Sequence, residues 1–221
     1  MTASTPSPTD IEMTEPIYQG QFGDFTITRS DRREVVIYRA GLLLAALCFG
    51  VGVTLGLAQP TDPQVQGLLS FLYTAMTIGL GISLLTIHIY MKLLHRVLQA
   101  FWLVGSIAAV GVAHADPERF VVTVYQHPVT LWGVGFTFAA LTGIFFKEAF
   151  CFNRLETKLL TLIVPTLLLG HLTGILSIGW EKGLLAAWAV LFVVFALRKA
   201  FQAIPPDIGD KSVFEYLKRT P

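Results

Sequence analysis

The feature that most constrains this chain is a succession of six apolar segments, at about 39–58, 67–91, 96–114, 129–149, 158–178 and 181–200. Each is close to the ~20 residues a helix needs to cross a hydrocarbon core ~30 Å thick. The first reads GLLLAALCFGVGVTLGLA from Gly41, with no charge inside it. The residues are 53% hydrophobic and only 14% charged, where a soluble domain carries charge on roughly a quarter of its positions. The predicted fold is therefore an all-α membrane protein, a six-helix transmembrane bundle.

The second and third segments are hard to separate. Lys92, His95 and Arg96 interrupt a long apolar stretch with almost no turn residues. One helix from Leu68 to Ala113 would run far longer than a bilayer, so a tight turn near 92–96 is expected. Six crossings then sort the basic residues. Of the 16 Lys and Arg, only Arg119 and Lys182 fall on one side, together with the acids Asp62, Asp116, Glu118 and Glu181. Basic residues favour cytoplasmic loops, which places both termini in the cytoplasm.

Outside the spans, residues 1–15 are rich in Ser, Thr and Pro and read as a disordered tail. They lack the apolar core of a secretory signal, and their acids argue against a transit peptide. Residues 16–38 form a cytoplasmic N-terminal segment. It holds a hairpin with its turn at Gly23–Asp24, then a helix start capped by Ser30. The six-span domain covers 39–200, and 201–221 is a cytoplasmic tail. There Pro205–Pro206 ends the sixth helix. Ser212 and Glu215 form a capping-box pattern for a short helix over 213–219, with Phe214 and Leu217 facing inward. The patch FVVTVY, Phe120 to Tyr125, is too short to cross and belongs at the interface or on the helix ends.

Ionisable groups inside spans are costly and are candidate sites by default. His171, in PTLLLGHLTG, lies ~20 Å along its helix from Lys158 at 1.5 Å per residue. With Thr173 and Pro165 it makes a candidate intramembrane polar site, read either as a step in a proton or ion path or as an interhelical hydrogen bond. His88, His95, Lys147, Glu148 and Glu156 can gather into a cluster at the cytoplasmic side. Imidazole and carboxylate suit transition metals, so a metal or haem reading stands beside the plainer one, in which basic side chains snorkel to headgroups and Glu148 pairs with a basic neighbour. No motif raises the metal reading. Haem between His88 and His171 is disfavoured by their different depths. Gly52 with Gly56, and Gly170 with Gly174, form two G-x-x-x-G patterns suited to helix packing. Cys48 and Cys151 have neither disulfide nor zinc spacing. A net charge of +1 gives no pull toward nucleic acid.

The runs HIYMKLLHRVLQAFWLVG (His88 to Gly105), FTFAALTGIFFKEAFCFNRLE (Phe136 to Glu156), LLLGHLTG (Leu167 to Gly174) and PPDIGDKSVFEYL (Pro205 to Leu217) resemble an integral membrane family of cyanobacteria and plants that carries only an unknown-function label. The resemblance implies a thylakoid or plasma membrane of a cyanobacterium-like cell and supplies no activity. The leading expectation is a non-enzymatic accessory or assembly factor in a photosynthetic or energy-converting membrane, in contact with lipid and with other membrane subunits. The rivals are a small ion, proton or solute transporter using His171 and Glu148, and a membrane metal- or haem-binding protein.

Overall fold

The computed structural model describes residues 16–115 and 118–219; the predicted N-terminal tail lies outside them. Among the described residues, six helices are long and apolar enough to cross a membrane. They are α1 (Arg29–Ala58), α2 (Pro63–Thr86), α3 (Lys92–Ala115), α5 (Leu131–Phe152), α6 (Leu155–Thr173) and α7 (Ile178–Ala200). A short α4 (Phe120–Gln126) and a 3-10 turn (Pro128–Thr130) lie between α3 and α5. The apolar patch at Phe120 is thus helical, and Phe120 itself packs with Ala109 and Val134. A hairpin of β1 (Ile17–Gly20) and β2 (Gly23–Thr26) precedes the bundle, and α8 (Pro205–Ile208) and α9 (Lys211–Arg219) follow it. The chain divides into two units, Glu34–Gln202 and the two chain ends taken together.

In the larger unit one apolar core runs through the bundle. It includes Leu42, Ala45 and Ala46 from α1, Leu80 and Leu84 from α2, Ile144 and Phe145 from α5, Leu160 and Val164 from α6, and Phe192 and Phe195 from α7. The opposite surface is also apolar: Leu103, Ile107 and Val110 of α3 are exposed. Such a coat is unfavourable in water and suits lipid. The break between α2 and α3 falls at residues 87–91, earlier than the expected turn, and Lys92 already opens α3. The last carbonyls of a helix lack partners. Here the Leu84 carbonyl accepts from His95 Nε2 at 2.6 Å and from Gln99 Nε2 at 3.1 Å. Side chains from the first two turns of α3 thus satisfy the Leu84 carbonyl near the end of α2, and a five-residue non-helical link suffices.

The smaller unit interlocks the two chain ends. Its hairpin pairs Gly20 with Gly23, so the turn is Gln21–Phe22. Gly23 flanks that turn, at a φ of 135° that favours glycine. The cap of α1 is Thr28 rather than Ser30. Thr28 N–H and hydroxyl both donate to Asp31 Oδ2 at 2.8 Å, and Asp31 N–H donates to Thr28 Oγ1 at 3.2 Å. This reciprocal arrangement satisfies orphan donors and starts the helix before its apolar run. Pro205 and Pro206 stand in the first turn of α8, where a missing N–H costs nothing, and α7 has already ended at Ala200. Leu217 is exposed rather than inward.

The predicted capping box at Ser212 also moves, because Asp210 takes the role. Asp210 Oδ1 accepts from Ser212 N–H at 2.9 Å, and Oδ2 accepts from Gln21 N–H at 2.6 Å. The Ser212 hydroxyl, which donates to Oδ1 at 2.6 Å, and then these backbone donors hold the Asp210 carboxyl below its ordinary value. A lowered folded-state pKa means the contribution is present above the usual Asp range near pH 4 and is lost as pH falls through the depressed value. Asp210→Ala is expected to cost ~1 kcal/mol locally. Hydrogen exchange at the Gln21 and Ser212 amides should accelerate about fivefold, and unchanged rates would contradict the cap.

Candidate functional site

Glu148, one turn from the end of α5, is fully buried in the bundle. Its side chain and that of Lys199, in the last turn of α7, are both 0% exposed. Lys199 Nζ donates to Glu148 Oε2 at 2.5 Å. Lys147 Nζ donates to Oε1 at 2.9 Å, and the Tyr38 hydroxyl of α1 donates to the same oxygen at 3.1 Å. The Lys199 ammonium also sits 4.0 Å from the centre of the Phe152 ring, within cation–π range. Two ammonium groups thus share one carboxylate, and a phenol and an aromatic face complete the enclosure. The arrangement ties α1, α5 and α7 together.

Neighbouring charges extend this end of the bundle. Arg198 donates to Glu156 Oε2 at 2.9 Å, and Arg154 donates to Gln202 Oε1 at 2.6 Å. Arg39 Nη1 donates to the Gln202 carbonyl at 2.5 Å. Of the five residues proposed as a cytoplasmic cluster, Lys147 and Glu148 meet directly, while Glu156 pairs with Arg198. His95 is engaged by the end of α2, and His88 Nε2 lies 3.4 Å from Glu34 Oε2. Among the described residues, no group of three His, Cys, Asp or Glu is placed to hold a metal ion. Sequence reasoning missed Tyr38, Arg39 and Lys199. The signal was available in the topology, since six crossings put the start of α1 and the ends of α5 and α7 at one level.

His171 lies at the other end, in the last turn of α6. Its Nε2 donates to the Tyr125 carbonyl at 3.1 Å, and its Nδ1 is 2.7 Å from Glu181 Oε1 at the start of α7. A carbonyl can only accept, so Nε2 carries a hydrogen. The Nδ1–carboxylate contact then holds one further proton, either as imidazolium with carboxylate or as imidazole with carboxylic acid. The Tyr125 ring stacks on the imidazole at 5.0 Å, and its hydroxyl reaches Glu181 Oε2 at 3.4 Å. Burial, then the Glu181 charge, push the Tyr125 phenol up, which keeps it a neutral donor. Thr173, also proposed here, donates to the Leu169 carbonyl of its own helix at 2.7 Å. Pro165 lines a separate, smaller apolar groove.

The His171 pair stands on the rim of a cavity of about 640 Å³, within the 300–1,000 Å³ range of small-molecule sites. Its wall comes from α1, α2, α4, α5, α6 and α7 and is apolar in its depth, with Phe49, Leu72, Met76, Phe138 and Trp188. Glu148 is not part of it. Gly52 and Gly56 are in the wall, where an added Cβ would meet Leu69 and Leu72 of α2 no closer than 3.4 Å. The close approach of α1 and α2 occurs elsewhere, at Gly41 and Gly79. Gly174 is the left-handed cap of α6, with φ 67°, and the Cβ that Gly170 lacks would collide with Leu176. These two glycines shape a helix end.

A family model described as uncharacterized integral membrane protein (DUF2301) matches residues 82–216, from late α2 to α9. No curated protein and no solved structure matches the chain.

Proposed function

The chain belongs to the DUF2301 family of uncharacterised integral membrane proteins, and on that premise we propose that it is a non-enzymatic accessory or assembly factor of a photosynthetic or energy-converting membrane, with both termini cytoplasmic. The observation that carries this reading is the surface made by the chain ends. Lys211 Nζ donates to Asp31 Oδ2 at 2.7 Å, and Phe22 N–H donates to Ser212 Oγ at 3.0 Å. The Phe22 and Tyr216 rings stack at 4.1 Å and 7°, yet remain 48% and 44% exposed. A stacked aromatic pair on a braced polar lobe is the composition of a protein contact. The basic residues of the loops on that side support the orientation. The type of membrane rests on the family resemblance.

Tagged protein drawn from native membranes in mild detergent should retain defined partner subunits. Phe22→Asp with Tyr216→Asp should lose them while the bundle keeps its thermal stability. Isolation of the parent protein alone under the same conditions would overturn the reading. A transporter is the second reading, favoured by the presence of His171 on the cavity rim. Its Glu148 arm gains no support, because that carboxylate is enclosed by Lys147, Lys199 and Tyr38.

A further inference from the structure

We propose that the cavity beside His171 binds a bilayer-derived amphiphile, with one apolar chain lying in the pocket and an anionic head, carboxylate or phosphate, held at Lys182. The wall within the bundle is mostly apolar; its deep polar groups are the Tyr73 hydroxyl, bonded to Thr137, and the Trp188 indole N–H, so a water-soluble ligand finds little there to hydrogen-bond. The charged and remaining polar residues collect toward one end, with Gln66, Tyr125, His171, Glu181 and Lys182. That gradient matches a molecule that is itself apolar along its length and polar at one terminus.

The charge of the head follows from the rim. Glu181 is already engaged by His171 at 2.7 Å, and either placement of the shared proton leaves the pair neutral. Lys182 is exposed and makes no ion pair among the described residues. Among the residues lining the cavity, the uncompensated charge is therefore positive. An anionic head is stabilised there and a neutral one is not. The space for the chain is held open by Gly52 and Gly56, whose missing side chains leave the α1 wall flat against α2.

The test uses the intact protein in detergent and palmitate brominated at mid-chain, a contact quencher of indole fluorescence. Trp188 lines the cavity, so saturable quenching is expected and should be lost in Trp188→Phe. Gly52→Leu should weaken binding at least tenfold, with size exclusion confirming a folded protein. Lys182→Gln, a surface change, should weaken palmitate roughly threefold to fivefold and leave hexadecanol unaffected. Comparison of palmitate with hexadecyl phosphate assigns the head. Quenching that survives Trp188→Phe, or hexadecanol binding as tightly as palmitate, overturns the proposal. Neither result bears on partner retention by the lobe.

Discussion

Replacing Glu148 by leucine is expected to lower the unfolding free energy by ~3–5 kcal/mol, the cost of breaking a buried ion pair from one side. The carboxylate compensates two ammonium groups, and Lys199 is 0% exposed, so it cannot turn to solvent without opening α7. Lys147→Ala should cost far less, since its side chain is 10% exposed and a lysine at a helix end reaches headgroups readily. The double change Glu148→Leu with Lys199→Met should recover much of the loss, because a well-packed apolar pair can replace a buried ion pair at little cost. Thermal unfolding of the four proteins in one detergent decides the matter. A Glu148→Leu protein as stable as the parent would mean that water reaches the cluster and screens it.

The contrast between Glu148 and His171 shows what the sequence could carry. Six spans were legible because apolar length and charge sorting are properties of the chain itself. The pairing of Glu148 with a basic residue was equally open to inference, since Lys147 adjoins it. Which further base shares it depends on helix rotation, and α7 offers both Arg198 and Lys199 at its end; only the packed bundle sends Lys199 inward and Arg198 to Glu156. The partner of His171 was hidden for a different reason. The α6–α7 loop is short, so Glu181 returns to the level of His171, but an acid in the first turn of a helix reads in sequence as solvent-facing. His95 was the reverse case: an imidazole near other polar residues, engaged by the free carbonyl of Leu84 once the helix break moved to 87–91. Small shifts in a break reassign side chains from a cluster to a cap.

The glycines carry the same lesson into an expected result. G-x-x-x-G at Gly52 and Gly56 reads as a packing seam, yet a Cβ added at Gly52 would lie 3.7 Å from its nearest atoms, ordinary contact. At Gly79 it would lie 2.7 Å from the Gly41 carbonyl oxygen and 3.0 Å from the Ala45 nitrogen. Both are backbone atoms of α1, which no rotamer change can move aside. The reciprocal approach holds at Gly41, 2.6 Å from the Gly79 carbonyl. Close backbone contact between small residues is what associates helices in lipid, where burial gives no hydrophobic gain. Gly79→Val must therefore push α1 and α2 apart. The expected cost is about 3 kcal/mol, at the upper end for overpacking. Ser83, whose hydroxyl donates to the Tyr38 carbonyl at 2.9 Å, would lose its partner in the same displacement. Gly52→Ala, by contrast, should change stability by less than ~0.5 kcal/mol. Thermal unfolding of the two variants in one detergent gives the comparison. Equal stabilities would mean that α1 and α2 slide past one another freely, and that the crossing at Gly41 and Gly79 does not fix their spacing.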